Sequence, residues 1–244
     1  MCFKAVNDKL ALRSFIKEKK FLWLIYREWY RAIAAALPPG PGALLELGSG
    51  AGFLKEFSPG LITSEIFYLP DIDAVLDGQQ LPLRAGVLRG LVMIDVLHHL
   101  PQPRRFLREA ARCVRPGGVV VMIEPWVTPW SRLIYRRLHE EPFCPEATDW
   151  EFPPRGPLSG ANGALPWIIF ARDRARFERE FPQWRLGKIE PGLPFRYLLS
   201  GGVSLVSLTP AWTFGFWQRL ENFLQPLMQY LAMFARIELV RVAS

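Results

Sequence analysis

The sequence predicts an α/β fold built on a mostly parallel sheet, and three observations carry that expectation. Short apolar runs alternate with helical segments between residues 44 and 124. The first run, Leu-Leu-Glu-Leu at 44–47, passes straight into three glycines at alternate positions, Gly48, Gly50 and Gly52. Two more strand-like stretches, 184–190 and 234–242, close the chain. Alternation of strand and helix implies parallel strands covered on both faces.

Each element has its own reason. Residues 8–37 read as a helix, because Leu12, Phe15, Ile16, Leu22, Ile25, Trp29 and Ile33 recur mostly at three- and four-residue steps. Pro38-Pro39-Gly40-Pro41-Gly42 stops it. Residues 44–47 are the first strand and 51–57 a short helix after it. The second and third strands, 61–66 and 74–76, are too close in sequence to hold a helix between them. The fourth strand is 87–95, a helix follows at 106–114, and Gly117-Gly118 caps it before the fifth strand, 119–124. Glu109 and Arg112 on that helix are expected to make surface or inter-element contacts. Beyond Glu124, residues 125–166 are rich in Pro, Trp, Arg and Gly, with a helix over 130–139. A helix over 167–181 precedes the sixth strand, 184–190, and 234–242 is the last. The insertion between them, 191–232, carries Phe195, Tyr197, Leu198, Leu199, Trp212, Phe214, Phe216 and Trp217. No internal repeat or low-complexity tract interrupts this order.

Composition narrows the class. Half of the 244 residues are hydrophobic, enough for a sizeable core. A net charge of +7 favours an anionic partner, yet the arginines are scattered and the one lysine cluster, Lys17, Lys19 and Lys20, is broken by Glu18. A soluble basic enzyme fits this better than a nucleic-acid binder. Cys2, Cys113 and Cys144 lie too far apart for a metal knuckle or redox pair, and an odd count fits a reducing compartment. The N-terminus lacks an apolar signal-peptide core, and no apolar run approaches the roughly 18 residues of a membrane span. A cytoplasmic location is expected.

The glycine turn marks a nucleotide-type cofactor site, since glycines let a chain turn where no side chain fits and bring backbone against a ligand. It is neither a dinucleotide fingerprint, whose third glycine would fall where Phe53 stands, nor a P-loop, which needs Lys and then Ser or Thr. Downstream come Glu65, then Asp77 in Asp-Gly-Gln-Gln-Leu-Pro-Leu, then Asp95 in Val-Met-Ile-Asp-Val-Leu-His-His-Leu, then Arg115-Pro116-Gly117-Gly118.

In these landmarks residues 43–124 resemble the class I S-adenosylmethionine-dependent methyltransferases, of the small-molecule, methyltransferase type 11-like branch; Leu81-Pro82-Leu83 departs mildly from that branch's Leu-Pro-Phe. The resemblance implies a Rossmann-like, seven-stranded, mostly parallel sheet with an antiparallel last strand and helical lid insertions. It would form one domain: a helical segment at 1–40, a cofactor-binding core at 41–124, a lid region with strand six at 125–232, and the last strand at 233–244. It also implies S-adenosyl-L-methionine as cofactor. Gly48, Ser49, Gly50 and Gly52 would hold its methionine part and Glu46 its ammonium. Glu65 would grip the ribose, with Asp71 as runner-up. Asp77 and the Gly78 N–H would meet the adenine, and Asp95 the sulfonium end.

For catalysis the candidates are His139, beside Glu140 and Glu141, and Glu124 at the end of the fifth strand; an oxygen nucleophile would need such a base. His98 and His99 read as structural, because adjacent side chains on a regular element point apart and no Cys or carboxylate set completes a metal site. No metal is expected. Asn162 sits in a Gly-rich loop without an assigned role. Arg132, Arg136, Arg137 and Arg196 could rim an aromatic pocket, so the expected acceptor is a small or lipid-like molecule with an anionic group, taken from a membrane surface. A protein acceptor, or a non-catalytic scaffold that keeps the cofactor fold, are the alternatives; nucleic acid is disfavoured, with no RNA-binding module or base-methylating motif present.

Overall fold

The computed structural model describes residues 16–50, 52–138, 141–153, 160–203 and 205–243. Seven strands form one sheet: β1 (Ala43–Leu47), β2 (Leu61–Glu65), β3 (Ala74–Val75), β4 (Leu88–Ile94), β5 (Val114–Pro125), β6 (Trp184–Gly192) and β7 (Phe234–Arg241). Their spatial order is β3-β2-β1-β4-β5-β7-β6. β7 alone runs antiparallel to its neighbours β5 and β6. The order turns outward from β1 in one direction and β4 in the other, so the crevice above their carboxyl ends is the natural ligand position.

Helix α1 (Lys20–Ala36) forms because Phe21, Leu22, Ile25, Tyr26, Trp29, Tyr30 and Ile33 bury along one face. Residues 16–18 are also helical, and the earlier part of the expected helix, 8–15, lies outside the described residues. After the glycine turn the expected helix shrinks to a single 3-10 turn, Leu54–Glu56. Pro59-Gly60 follows too soon for more. The β2–β3 crossover holds no helix, as expected. Asp73 closes it: one carboxylate oxygen accepts from Thr63 N and Oγ1, both at 2.8 Å, and Lys55 Nζ approaches at 2.8 Å. These bonds from Lys55 and Thr63 hold the Asp73 carboxyl down at about 2.

Helix α2 (Pro103–Cys113) begins on a proline at its first position, where no donor is lost. Its Glu109 accepts from Leu81 N, and its Arg112 donates to the carbonyls of Leu81 and Leu83. Both side chains thus clamp the Leu81-Pro82-Leu83 segment to α2. Gly117-Gly118 does not cap α2, contrary to expectation. Pairing runs from Leu88↔Val114 to Gly90↔Val119, so residues 115–118 bulge out of β5 itself.

Beyond β5, α3 (Pro129–Leu138) matches the expected helix. The helix expected over 167–181 is broken into a turn at Leu165–Trp167, a π turn at Ile168–Arg172, and α4 (Arg174–Glu180) after Asp173. The β6–β7 insertion folds into short helices, the longest being α5 (Phe214–Phe223). Among the described residues no helix is long and apolar enough to cross a membrane.

Candidate active site

At the end of β1 the backbone turns left-handed at Gly48 (φ +66°) and Gly50 (φ +48°). A Cβ on Gly48 would lie 2.4 Å from Val96 Cγ2, and one on Gly52 would lie 2.7 Å from Ser49 O and 2.9 Å from the Tyr30 hydroxyl. Ser49 N donates to Ser64 O, and Ser64 Oγ donates to Glu46 O, so the turn is knitted to β2. Glu46 is buried, and its Oε2 has no hydrogen-bond partner. Burial lifts its carboxyl to about 7; the Ser49 hydroxyl opposes the shift and the Glu65 carboxylate adds to it. An orphaned buried carboxylate oxygen beside the glycine turn fits a ligand that brings an ammonium group.

Glu65 is buried at the end of β2, and its Oε2 accepts from Ile66 N at 3.1 Å. Asp71 is exposed and left-handed, at φ +67°. Asp77 Oδ1 accepts from Gln79 N at 2.8 Å, which closes a turn. Gly78 packs where a Cβ would press on Leu47 Cδ1 at 3.1 Å. Asp95, just past β4, is left-handed too (φ +54°), a strained state for a non-glycine residue. Partly open to a cavity yet ringed by protein, it is held up at about 7 by burial, which outweighs the His98 charge; Glu124 and Glu141 push the same way as burial.

Glu124 is fully buried at the end of β5. Its Oε1 accepts from Val96 N (2.9 Å) and Leu97 N (2.7 Å), and its Oε2 lies 2.6 Å from His98 Nδ1. Burial alone would lower the His98 imidazole, but the Glu124 bond, reinforced by Glu141 and Asp95, lifts it to about 10. Burial and the neighbouring His98 lower His99. The two histidines occupy a 3-10 turn, Leu97–His99, with ring centroids 4.2 Å apart, so the pair does not diverge as on a regular strand or helix. Asn162 pins the facing segment: its N–H donates to His98 O, its Oδ1 accepts from Cys144 N, and Gly163 N donates to Pro142 O. His139 lies outside the described residues.

A cavity of about 170 Å³ opens beside this cluster, lined by Asp95, His98, His99, Glu141, Tyr135, Phe143, Tyr197 and Phe234 among others. Of the insertion aromatics only Tyr197 reaches it. Phe214 packs on Phe21, and Trp212 and Phe216 face solvent, 84 % and 64 % exposed. The arginine rim is not formed either. Arg196 is buried between Glu221 (2.5 Å) and Glu28 (2.8 Å), while Arg132 and Arg136 reach Glu146 on the surface and Arg137 is exposed. A larger cavity, about 210 Å³, surrounds Arg196 and touches none of the expected cofactor residues.

The sequence pattern singled out Tyr197 among the insertion aromatics but not the two tyrosines that join it. Tyr26 on α1, Tyr135 on α3 and Tyr197 in the insertion all feel Asp95; burial first, with that charge among the further causes, raises each phenol. Tyr26 and Tyr30 stand four apart on the apolar face of α1, a signal that was open to reading.

Residues 62–122 match the family model of a methyltransferase domain. No curated protein sequence matches the chain significantly. Among solved structures, geranyl diphosphate C-methyltransferase from Streptomyces coelicolor A3(2), in complex with Mg2+, geranyl diphosphate and S-adenosyl-L-homocysteine, is similar with a TM-score of 0.55 and 13% identity, over 91% of this chain and 82% of that one. A putative methyltransferase of Haloferax volcanii, in complex with the Trm112 methyltransferase activator, gives a TM-score of 0.55 and 14% identity over 98% of both chains. At such identities the likeness speaks for the fold. Residues 62–122 thus resemble a methyltransferase domain, and the chain shares the fold of these solved methyltransferase structures.

Proposed function

We propose that the chain transfers the methyl group of S-adenosylmethionine to a small, lipid-like acceptor held in the cavity beside Asp95. The carrying observation is that cavity: Asp95, where the sulfonium end is expected, lies in its wall, and the rings of Tyr135, Phe143, Tyr197 and Phe234 line it beside the titratable cluster. In this reading Gly48, Ser49, Gly50 and Gly52 cradle the methionine part and Glu46 takes the ammonium. Glu65 takes the ribose in preference to Asp71, because it is buried at the strand end. Asp77 offers Oδ2 to the adenine amino group beside Gly78. Bound there, the cofactor supplies an already activated methyl group, so the chain's task is placement and exclusion of water.

Glu124 does not act as a base on the acceptor, since its oxygens are taken by two backbone N–H groups and His98; it orients His98 at the cavity wall. An anionic acceptor loses its support with the arginine rim. Delivery from a membrane surface gains some: Leu205, Val206, Leu208, Trp212, Phe216 and Phe223 are all exposed on the insertion.

Calorimetry with the cofactor tests the first half; absence of binding would favour the scaffold alternative. Incubation of the pure chain with methyl-labelled cofactor and cell extract tests the second. Label is expected in the organic-extractable fraction. Label in protein or nucleic acid would overturn the lipid-like acceptor. Co-sedimentation with lipid vesicles, weakened in a Trp212→Ser, Phe223→Ser double variant, tests the delivery surface.

A further inference from the structure

We infer that His98, His99 and Glu141 form a binding site for one divalent transition-metal ion at the wall of the acceptor cavity. His98 Nε2 lies 3.5 Å from Glu141 Oε2, and His99 Nε2 lies 3.7 Å from Glu141 Oε1. The ligand atoms of all three lie within 4.8 Å of one another. The first two separations are long for hydrogen bonds, which centre near ~2.9 Å. They approach the edge, roughly 3.4 Å, of a tetrahedron whose ligands stand about 2.0–2.2 Å from a central ion.

The surroundings fix the orientation of the ligand set in advance, and an incoming ion displaces the His98 Nε2 proton. His98 Nδ1 is tied to Glu124 at 2.6 Å, and Glu124 is itself fixed by the N–H groups of Val96 and Leu97. A carboxylate on one ring nitrogen orients the other toward a metal and raises its basicity. On His99 the buried Nδ1 makes no hydrogen bond of standard geometry, and the Gly160 backbone is a polar group beside it. Glu141 comes from a separate segment, anchored by the Gly163 N–H to the Pro142 carbonyl and by Asn162. That separation in sequence is why no carboxylate could be assigned to the histidine pair from the sequence.

Two imidazoles and one carboxylate favour zinc, iron, cobalt or nickel over magnesium or calcium, which take oxygen ligands. Three protein ligands leave a position open, as in sites that bind a reactant. It faces the cavity, where an oxygen of the acceptor would complete the shell; this last role rests on the methyl-transfer reading above, the metal site itself does not.

The test is titration of the metal-stripped full chain with Co2+, read by calorimetry and by its visible absorption bands, with Mg2+ as comparison. One equivalent of Co2+ is expected, with the intense bands of low coordination, and much weaker Mg2+ binding. Glu141→Gln and His99→Ala should each cost more than the ~10–100-fold expected for Glu124→Gln, whose residue acts through His98. Circular dichroism and melting confirm that each variant is folded, and Glu141→Gln, at a half-exposed position, serves if His99→Ala does not fold. A wild-type chain that takes up no Co2+ at millimolar metal, or a Glu141→Gln variant that binds it as tightly, would overturn the site. Co2+ binding without cofactor binding would instead overturn the methyl-transfer reading and leave the metal site standing.

Discussion

The two sides of the candidate site are built by opposite means. On the cofactor side, the turn from Gly48 to Gly52 is backbone geometry: two left-handed glycines, close approaches that exclude a Cβ, and hydrogen bonds to β2. On the acceptor side, side chains from separated segments converge: Asp95 and the His98–His99 turn, Glu124, Tyr135, Glu141 and Tyr197. The first kind of site is written within a few consecutive residues. The second exists only after folding, and the charges and rings that look available in sequence have often been spent on one another.

Arg196 sharpens that contrast most. Expected at a ligand rim, it is instead buried between Glu28 and Glu221. Arg196→Met leaves two carboxylates uncompensated and should destabilise the fold by about 3–5 kcal/mol. Denaturant unfolding measures this, and cofactor affinity at a temperature where the variant is folded should stay unchanged. A drop in affinity with intact stability would return Arg196 to the site.

On the cofactor side, Gly48→Ala meets both left-handed strain and a collision with Val96. A loss of about 2–5 kcal/mol in stability is expected, with cofactor binding falling below detection. Calorimetry that finds normal binding would remove the turn from the site.

Glu46 gives a pH signature. Its carboxyl, raised to about 7 in the free protein, must be ionised to hold an ammonium. Below pH 7 binding has to expel a proton, so cofactor affinity should fall by up to about tenfold per pH unit as pH drops. Stability of the free chain runs the other way: a carboxyl whose folded pKa lies above its ordinary 4.5 weakens the fold as pH rises from there through about 7. Glu46→Gln should make both profiles shallower, leaving the part that Asp95, also raised to about 7, contributes; a variant with either slope unchanged would assign that slope to other groups.

The smallest effect belongs to Asp77→Asn. The amide keeps the turn bond to Gln79 N but puts a donor in place of Oδ2. Affinity should weaken by about 1–3 kcal/mol with melting unchanged. Equal affinity would mean that Asp77 serves the turn alone.

Legibility in the sequence follows the same division. The strands and the order of landmarks came from apolar runs and glycines, because strands declare themselves locally, whereas the antiparallel last strand was implied by the family resemblance alone. The β5 bulge did not, since Gly117-Gly118 reads equally as a helix cap until pairing with Leu88 and Gly90 fixes the register. The break in the helix over 167–181 was likewise hidden: its apolar steps continue through the π turn at Ile168–Arg172. His98 and His99 misled for a related reason, because the divergence of neighbouring side chains holds on a helix or strand and lapses in a 3-10 turn.

The β2–β3 crossover, closed by Asp73 without a helix, bears on the timing of turnover. Ile62, Ile66, Tyr68 and Val75 stand open to solvent on that flank. For a nucleoside resting on the carboxyl end of β2, the crossover offers only this short connection on that flank, with no helix to move aside. Exchange of spent for fresh cofactor would then be a matter of simple dissociation on that flank, and the slow event in each cycle would fall to the acceptor side, where α1, α3 and the β6–β7 insertion meet over Asp95.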